Sequence, residues 1–184
     1  MVTSSLLRKL EGGDRRSIGR ADEVVAAVLR QPTLFGALFD GLSVENPVVR
    51  ARAADAVEKI TVVHPHYLQP YKSSLIGPLA ECDQKEVRWH VAQMLPRLRL
   101  SASERRRVAH ILRGCLRDSS SIVKTCAMQA LAELTQQAPD LGPAVRRQLQ
   151  QLTATGTPAM RARGRKLLAE LKGRGQATQI VRSA

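Results

Sequence analysis

The chain has 184 residues, with 29 Lys and Arg against 16 Asp and Glu, which gives a formal net charge of +13. This length fits one domain, and a hydrophobic fraction of 43% supplies a core, so wholesale disorder is excluded. Aromatic residues make up only 3% of the chain, which is poor material for a β-sandwich or barrel and suits closely packed helices.

The N-terminal residues lack an apolar stretch of signal-peptide length, and no apolar run approaches the roughly 18 residues of a membrane-spanning helix. The three cysteines, Cys82, Cys115 and Cys126, are an odd number without CxxC spacing. This pattern predicts neither a disulfide framework nor a zinc site, and it favours reduced thiols in a cytoplasmic protein. We expect no membrane contact and no metal.

A repeated pattern follows, anchored at Val49, Val87, Val123 and Met160, with spacings of 38, 36 and 37 residues. Apolar or small residues recur 4, 7, 8 and 11 positions after each anchor. These offsets trace one stripe of an α-helix. A second amphipathic segment lies between 11 and 7 residues before each anchor. Each repeat therefore predicts a helix A, a tight turn and a helix B.

The turns carry residues that begin helices. Asn46-Pro47 and Thr157-Pro158 each place a capping side chain before a proline at the first helical position. Ser120 occupies the equivalent site in the third repeat. In the second repeat, Asp83 with Glu86 has the character of a capping box.

The pattern divides the chain into three segments within a single domain. Residues 1–33 predict an N-terminal helical cap with a break at 12–14. Residues 34–172 predict four helix pairs that bury their apolar stripes against one another. Residues 173–184 contain two glycines and few apolar residues, and they predict a disordered tail.

The openings of three predicted B helices, Val49-Arg50, Val87-Arg88 and Val123-Lys124, resemble those of HEAT repeats. The fourth, Met160-Arg161, departs from the family pattern because Gly164 replaces alanine. The resemblance covers residues 34–172. It implies an all-α fold, an α-solenoid of stacked antiparallel helix pairs with B helices along its concave surface.

One basic residue recurs at the same position of every repeat. The resemblance implies that these residues pair with acidic residues of the turns in a ladder between repeats, and the alternative is a row that binds phosphates. The basic residues are Arg50, Arg88, Lys124 and Arg161, and the acidic residues are Glu45, Asp83 and Asp118.

The positive charge is unevenly distributed. Residues 1–96 contain 12 basic and 11 acidic residues, whereas residues 97–184 contain 17 and 5. Clustered charge of one sign is what a phosphate-binding surface requires, although a solvated face gives the same composition. The candidate residues for phosphate or an acidic partner are Arg105, Arg106, Arg107, Arg146, Arg147, Arg161, Arg165 and Lys166.

Trp89 lies two residues past its anchor, off the core stripe and on the predicted concave face. An aromatic side chain in the middle of such a face is a plausible contact hot spot, or it fills space over a neighbouring helix. The concave binding residues predicted with it are His90, Gln93, Arg52 and Arg163.

Enzymatic motifs are poorly matched. His64-Pro65-His66 lacks the i, i+4 spacing of HExxH, and neither GxGxxG nor a P-loop occurs, so we expect no cofactor. HEAT-like alkylpurine DNA glycosylases use several concave aromatics beside a catalytic acid, whereas this chain offers Trp89 with Asp55 one repeat away.

These observations favour a non-catalytic scaffold that binds an unidentified protein partner. The alternative is sequence-nonspecific nucleic-acid binding through the basic C-terminal half, and a glycosylase is a third, weaker interpretation.

Overall fold

The computed structural model describes residues 5–12 and 17–182, with the backbone alone for residues 174–182. All regular elements in these ranges are helical. The chain forms two compact units, Met1–Arg99 and Leu100–Ala184, which we call unit 1 and unit 2.

In the described part of unit 1, six α-helices are joined by short 3-10 turns. In it α2 packs on α4, and α4 packs on α6, so that successive B helices are neighbours. The helices are α1 (Ser5–Arg8), α2 (Ala21–Arg30), α3 (Phe35–Asp40), α4 (Pro47–Val63), α5 (Lys72–Ile76) and α6 (Lys85–Met94). The 3-10 turns are Pro32–Leu34, Gly41–Ser43, Pro65–Tyr71, Pro78–Glu81 and Leu95–Arg97.

The described residues of unit 2 form four longer helices. In it α7 packs on α8, and α10 packs on both α8 and α9. The helices are α7 (Ala102–Cys115), α8 (Ser121–Leu134), α9 (Gly142–Thr155) and α10 (Pro158–Arg182), and a 3-10 turn, Pro139–Leu141, precedes α9.

The predicted repeat is confirmed as an all-α fold of helices packed in sequential pairs. The four B helices are α4, α6, α8 and α10, and the anchors Val49, Val87, Val123 and Met160 are all buried. The residues 11 positions before the anchors are buried as well. The apolar stripe of period 3.6 thus identified both helices of each pair. Each helix can cover its apolar side only by packing against neighbouring helices, so the stripe marks the packed side.

Three of the predicted helix caps are confirmed. The side chain of Asn46 accepts hydrogen bonds from the backbone of Val48 and Val49, and Ser120 caps α8. Thr157 Oγ1 accepts from Met160 N at 3.4 Å. The capping box predicted at Asp83 and Glu86 is wrong, because α6 begins after Gln84, whose side chain makes no cap bond.

Two observations concern the boundaries of the predicted segments. The division into two units falls after Arg99, at the link between the second and third repeats, within the predicted range 34–172. At the C-terminus, α10 continues to Arg182 through the segment predicted to be a disordered tail. Residues 183–184 lie outside the described residues, as do residues 1–4 and 13–16 of the predicted cap, which include two of the three residues of its predicted break.

The N-terminal cap is built on buried leucines. Leu6, Leu7 and Leu10 are buried, and α2 buries Val24 and Val28. The cap therefore joins the core of unit 1. Within residues 5–12 and 17–182, no helix combines the length and the apolar character that crossing a membrane requires.

Candidate binding surfaces

The side of unit 1 formed by α4 and α6 carries three of the five residues predicted for concave-face binding, and we call it the B-helix face. Trp89, His90 and Gln93 of α6 are half-buried there, as are Asp55 and Lys59 of α4. The Trp89 and His90 rings lie 5.5 Å apart between centroids, at an interplanar angle of 57°. Neither ring is part of the fully buried core, so both present an edge or a face at the surface.

Ion pairs fix the polar groups around these rings. Lys59 Nζ lies 2.9 Å from Asp22 Oδ1 and 2.9 Å from Asp55 Oδ2, which joins α2 to α4. Burial lowers the pKa of Lys59, but the hydrogen bonds to these two carboxylates outweigh it and the pKa is raised. Lys59 is thus held as a cation on this face.

A second ion pair closes the end of the face. Arg97 pairs with the carboxylate of Glu58 and donates to the Glu58 carbonyl at 2.9 Å. It also donates to Thr61 Oγ1 at 3.0 Å. Because Arg97 follows α6 and both partners belong to α4, these bonds hold the two B helices together.

His90 is the titratable group of the face whose charged form is most disfavoured by its partial burial. Burial disfavours the imidazolium and lowers the pKa of His90 below its usual 6.5, although the carboxylates of Asp55 and Glu58 oppose that shift. The cations Lys59 and Arg97 lower the pKa further. The Nδ1 atom of His90 is buried without a hydrogen-bond partner in the described structure. The folded protein therefore holds His90 neutral at neutral pH.

This burial predicts a pH-dependent stability. As the pH falls through about 6.5, the unfolded chain takes up a proton on His90 before the folded chain does, so the free energy of unfolding falls. We expect His90→Gln to remove this part of the loss. Urea unfolding at about pH 7.5 and about pH 5.5 measures it. An equal loss in both proteins would contradict the assignment.

Arg52 does not lie on the open surface where the sequence pattern placed it. It is 4% exposed, and its guanidinium binds backbone carbonyls of the cap. Nη1 donates to Leu10, Glu11 and Gly12 at 2.8, 3.2 and 2.7 Å, and Nε donates to Ser17 at 3.0 Å. Arg52 is therefore a structural residue that fastens residues 10–12 and Ser17 to α4.

The basic residue at the start of α4 forms a ladder, but through an amide. Arg50 Nε donates to Gln84 Oε1 at 2.8 Å, and Gln84 Nε2 donates to the Pro47 carbonyl at 2.7 Å. Arg50 Nη1 also binds the carbonyls of Val44 and Glu45. Arg50 thus links the first two repeats through the amide of Gln84, where the HEAT resemblance implies an acidic partner.

Several arginines of unit 2 have structural partners. Arg105 Nη1 donates to the Leu100 carbonyl at 3.0 Å, and Arg146 Nη2 donates to the Leu171 carbonyl at 3.3 Å. Arg163 Nη1 donates to Gln129 Oε1 at 3.0 Å. Arg163 is exposed, but it belongs to unit 2, whereas the B-helix face belongs to unit 1.

The other predicted phosphate-binding residues are exposed. They divide between three helices of unit 2, and so do not form one continuous strip along a single helix. These residues are Arg106 and Arg107 of α7, Arg147 of α9, and Arg161, Arg165 and Lys166 of α10.

The described residues contain no group of three or more His, Cys, Asp or Glu side chains placed to hold a metal ion. His64 and His66 instead belong to an aromatic cluster: their rings lie 5.2 and 4.6 Å from the Tyr67 ring. Asp55, the acid considered for base excision, is engaged by Lys59.

Two surface features were missed by the sequence pattern. Val62 and Val63, at the end of α4, are 61% and 68% exposed. At the same positions of the next repeat lie Leu100 and Ser101, which come after the end of α6. The last turn of α4 therefore has no counterpart in α6. Aligning the two repeats in sequence could have indicated that Val62 and Val63 are exposed. The capping box of Ser101 and Glu104 was also missed.

The chain is similar in structure to an engineered protein whose crystal structure comes from the Northeast Structural Genomics Consortium. The similarity has a TM-score of 0.61 at 17% sequence identity, and it covers 93% of this chain and 79% of that chain. The fold is an all-α helical repeat. At this level of identity the likeness speaks for the fold alone. No protein-family model and no curated protein sequence matches the chain.

Proposed function

We propose that the chain is a non-catalytic protein-binding scaffold built from HEAT-type repeats, with the B-helix face of unit 1 as its contact surface. The arrangement of A and B helices, the stripe that each buries and the Arg50–Gln84 ladder support the HEAT assignment. Helical repeats present broad surfaces on which side chains vary without disturbing the core, which suits recognition of another protein.

The position of Trp89 carries this proposal. The other four aromatic residues, Phe35, Phe39, Tyr67 and Tyr71, contact one another within unit 1. The single tryptophan stands apart from that cluster, half-buried beside His90. Tryptophan is enriched among the residues that dominate binding energy at protein interfaces. An indole ring has few rotatable bonds, so ordering a partly exposed tryptophan on binding costs little conformational entropy.

Trp89→Ala should weaken partner binding by at least tenfold, because loss of a hot-spot side chain costs about 2 kcal/mol or more. A photo-crosslinking residue placed at Gln93, one turn from Trp89, captures the partner for identification. We expect one dominant cross-linked protein, which disappears in the Trp89→Ala background while helical content measured by circular dichroism is retained.

Ser73 provides the matched control position, because it is exposed on α5, an A helix of the same unit. A cross-linker there should give no such product. Equal products from the two positions, or a Gln93 product that survives Trp89→Ala, would contradict the proposal.

A second candidate function is sequence-nonspecific binding of nucleic acid by unit 2. One observation favours it: residues 100–184 contain 15 basic and 5 acidic residues, and many of the arginines are exposed. Such a surface attracts polyanions through counterion release. Salt-dependent binding to any nucleic acid tests this candidate, and its absence at low salt removes it.

A further inference from the structure

The exposed side of α7 carries a row of basic side chains, which we call the α7 row. Its members are Arg106, His110, Arg113 and Arg117, spaced at i, i+4, i+7 and i+11. This spacing places them on one side of the helix, and the last continues into the turn that follows. The opposite side of α7 is buried through Val108, Ala109, Leu112 and Cys115. The row is therefore a straight basic edge about 16 Å long.

Two carboxylates near α7 accept hydrogen bonds from backbone groups. Glu104 Oε2 accepts from Ser101 N at 2.7 Å, and Asp118 Oδ1 accepts from Ser120 N at 2.6 Å. Arg113 Nε donates to Gln148 Oε1 of α9 at 3.3 Å, which orients its side chain and leaves further donors. The row thus combines a positioned arginine with exposed ones on either side.

We infer that the α7 row binds the phosphate backbone of a nucleic-acid duplex, an inference that rests on the second candidate function. Charge complementarity identifies the ligand as a polyanion, and residues 100–184 contain 12 Arg and 3 Lys. Arginine presents a planar fork of donors that matches phosphate oxygens. A row of 16 Å reaches about half a helical turn of duplex, over which several phosphates recur.

The composition of unit 2 selects duplex over single strands. Residues 100–184 contain no Phe, Trp or Tyr, and single-strand binding surfaces rely on aromatic rings on which bases stack. A peptide is a poorer fit, because α7, which is described along its whole length, exposes no large apolar side chain to anchor one. Backbone contact without base contact makes the binding independent of sequence.

The test uses the full chain and fluorescence anisotropy with labelled nucleic acid of about 21 nucleotides or base pairs, roughly two helical turns. The arms are a DNA duplex, an RNA duplex and a single strand, each titrated at several salt concentrations. We expect one or both duplexes to bind more tightly than the single strand. The tighter duplex identifies the natural class.

The variant R106Q/R113Q/R117Q removes three positive charges from the row. We expect its duplex affinity to fall roughly 100-fold at about 0.1 M salt, with the slope of log K against log salt smaller by about 3. The matched control R8Q/R30Q/K85Q removes three charges from exposed positions of unit 1 and should retain most of the affinity. Thermal unfolding establishes that both variants are folded.

Equal losses in the two variants would overturn the assignment to α7. Single-strand binding as tight as duplex binding would overturn the choice of duplex, while the candidate nucleic-acid function would stand. Failure to bind any of the three probes at low salt would remove both.

Discussion

Replacing Arg52 with alanine is expected to lower the free energy of unfolding of unit 1 by about 3 kcal/mol. The guanidinium is 4% exposed and donates to four backbone carbonyls, of Leu10, Glu11, Gly12 and Ser17. Hydrogen bonds that involve a charged group contribute more than neutral ones, and their loss leaves these carbonyls without the partner that replaced water. Urea unfolding followed by circular dichroism measures the change.

Two further variants separate the geometry from the charge. Arg52→Lys keeps the charge, but one ammonium lacks the fork that reaches both Ser17 and the carbonyls of residues 10–12, so we expect a loss about half as large. Arg20→Ala removes an arginine whose side chain is 60% exposed and pairs with Glu23 on the surface, and it should change stability little. If Arg52→Ala were as mild as Arg20→Ala, the fastening role would be wrong.

Much of the fold could be predicted from the sequence because burial imposes a period. Val49 and its successors at helical spacing identify α4 from its apolar stripe alone, and the same holds for α6, α8 and α10. The cap at Asn46 could be predicted from neighbouring residues alone. An asparagine before a proline at a helix start accepts hydrogen bonds from the first unpaired backbone N–H groups, here that of Val48. The contact between Arg50 and Gln84 could not be predicted from the sequence. Whether Gln84 or the neighbouring Asp83 reaches Arg50 depends on how α4 and α6 pack together.

The candidate site was harder to predict than the fold. Arg52 lies beside the apolar stripe, and its partners are carbonyls about 40 residues earlier in the chain, which have no side-chain signature. Two glycines gave a signal that could have been used. Gly12 and Gly19 have positive φ angles of 75° and 54°, and a Cβ on Gly19 would lie 2.7 Å from the guanidinium. The bend of the cap around Arg52 thus depends on residues without side chains.

The surplus of arginines in unit 2 could be predicted from the sequence, but their hydrogen-bond partners could not. The sequence pattern marks the arginines of unit 2 as a surplus, yet Arg105 and Arg146 bind backbone carbonyls while Arg106 and Arg147 are exposed. Neighbours in sequence have different roles because adjacent positions on a helix point about 100° apart. On α7, the i, i+4 and i+7 spacing places Arg106 in the exposed α7 row and leaves Arg105 out of it.

Gly164→Ala should destabilise unit 2 by about 2 kcal/mol, although alanine is the better helix former by about 1 kcal/mol. Gly164 is buried in α10, and a Cβ there would lie 2.0 Å from Thr153 Oγ1 and 3.2 Å from Met128 Cε. Thr153 cannot rotate away freely, because its hydroxyl donates to the Leu149 carbonyl. The glycine that weakened the resemblance to HEAT repeats is therefore what permits the close approach of α10 to α9.

A double-mutant cycle with Thr153→Ala tests this contact through the urea midpoint of unfolding. Removing the hydroxyl leaves the Thr153 Cβ at 3.1 Å from the new methyl group, a distance that a small shift relieves. In that background Gly164→Ala should cost little, and the helix propensity of alanine should offset what remains. The expected coupling energy is about 2 kcal/mol. A Gly164→Ala protein as stable as the parent would mean that α9 and α10 separate easily, and that the interface between them is not closely packed.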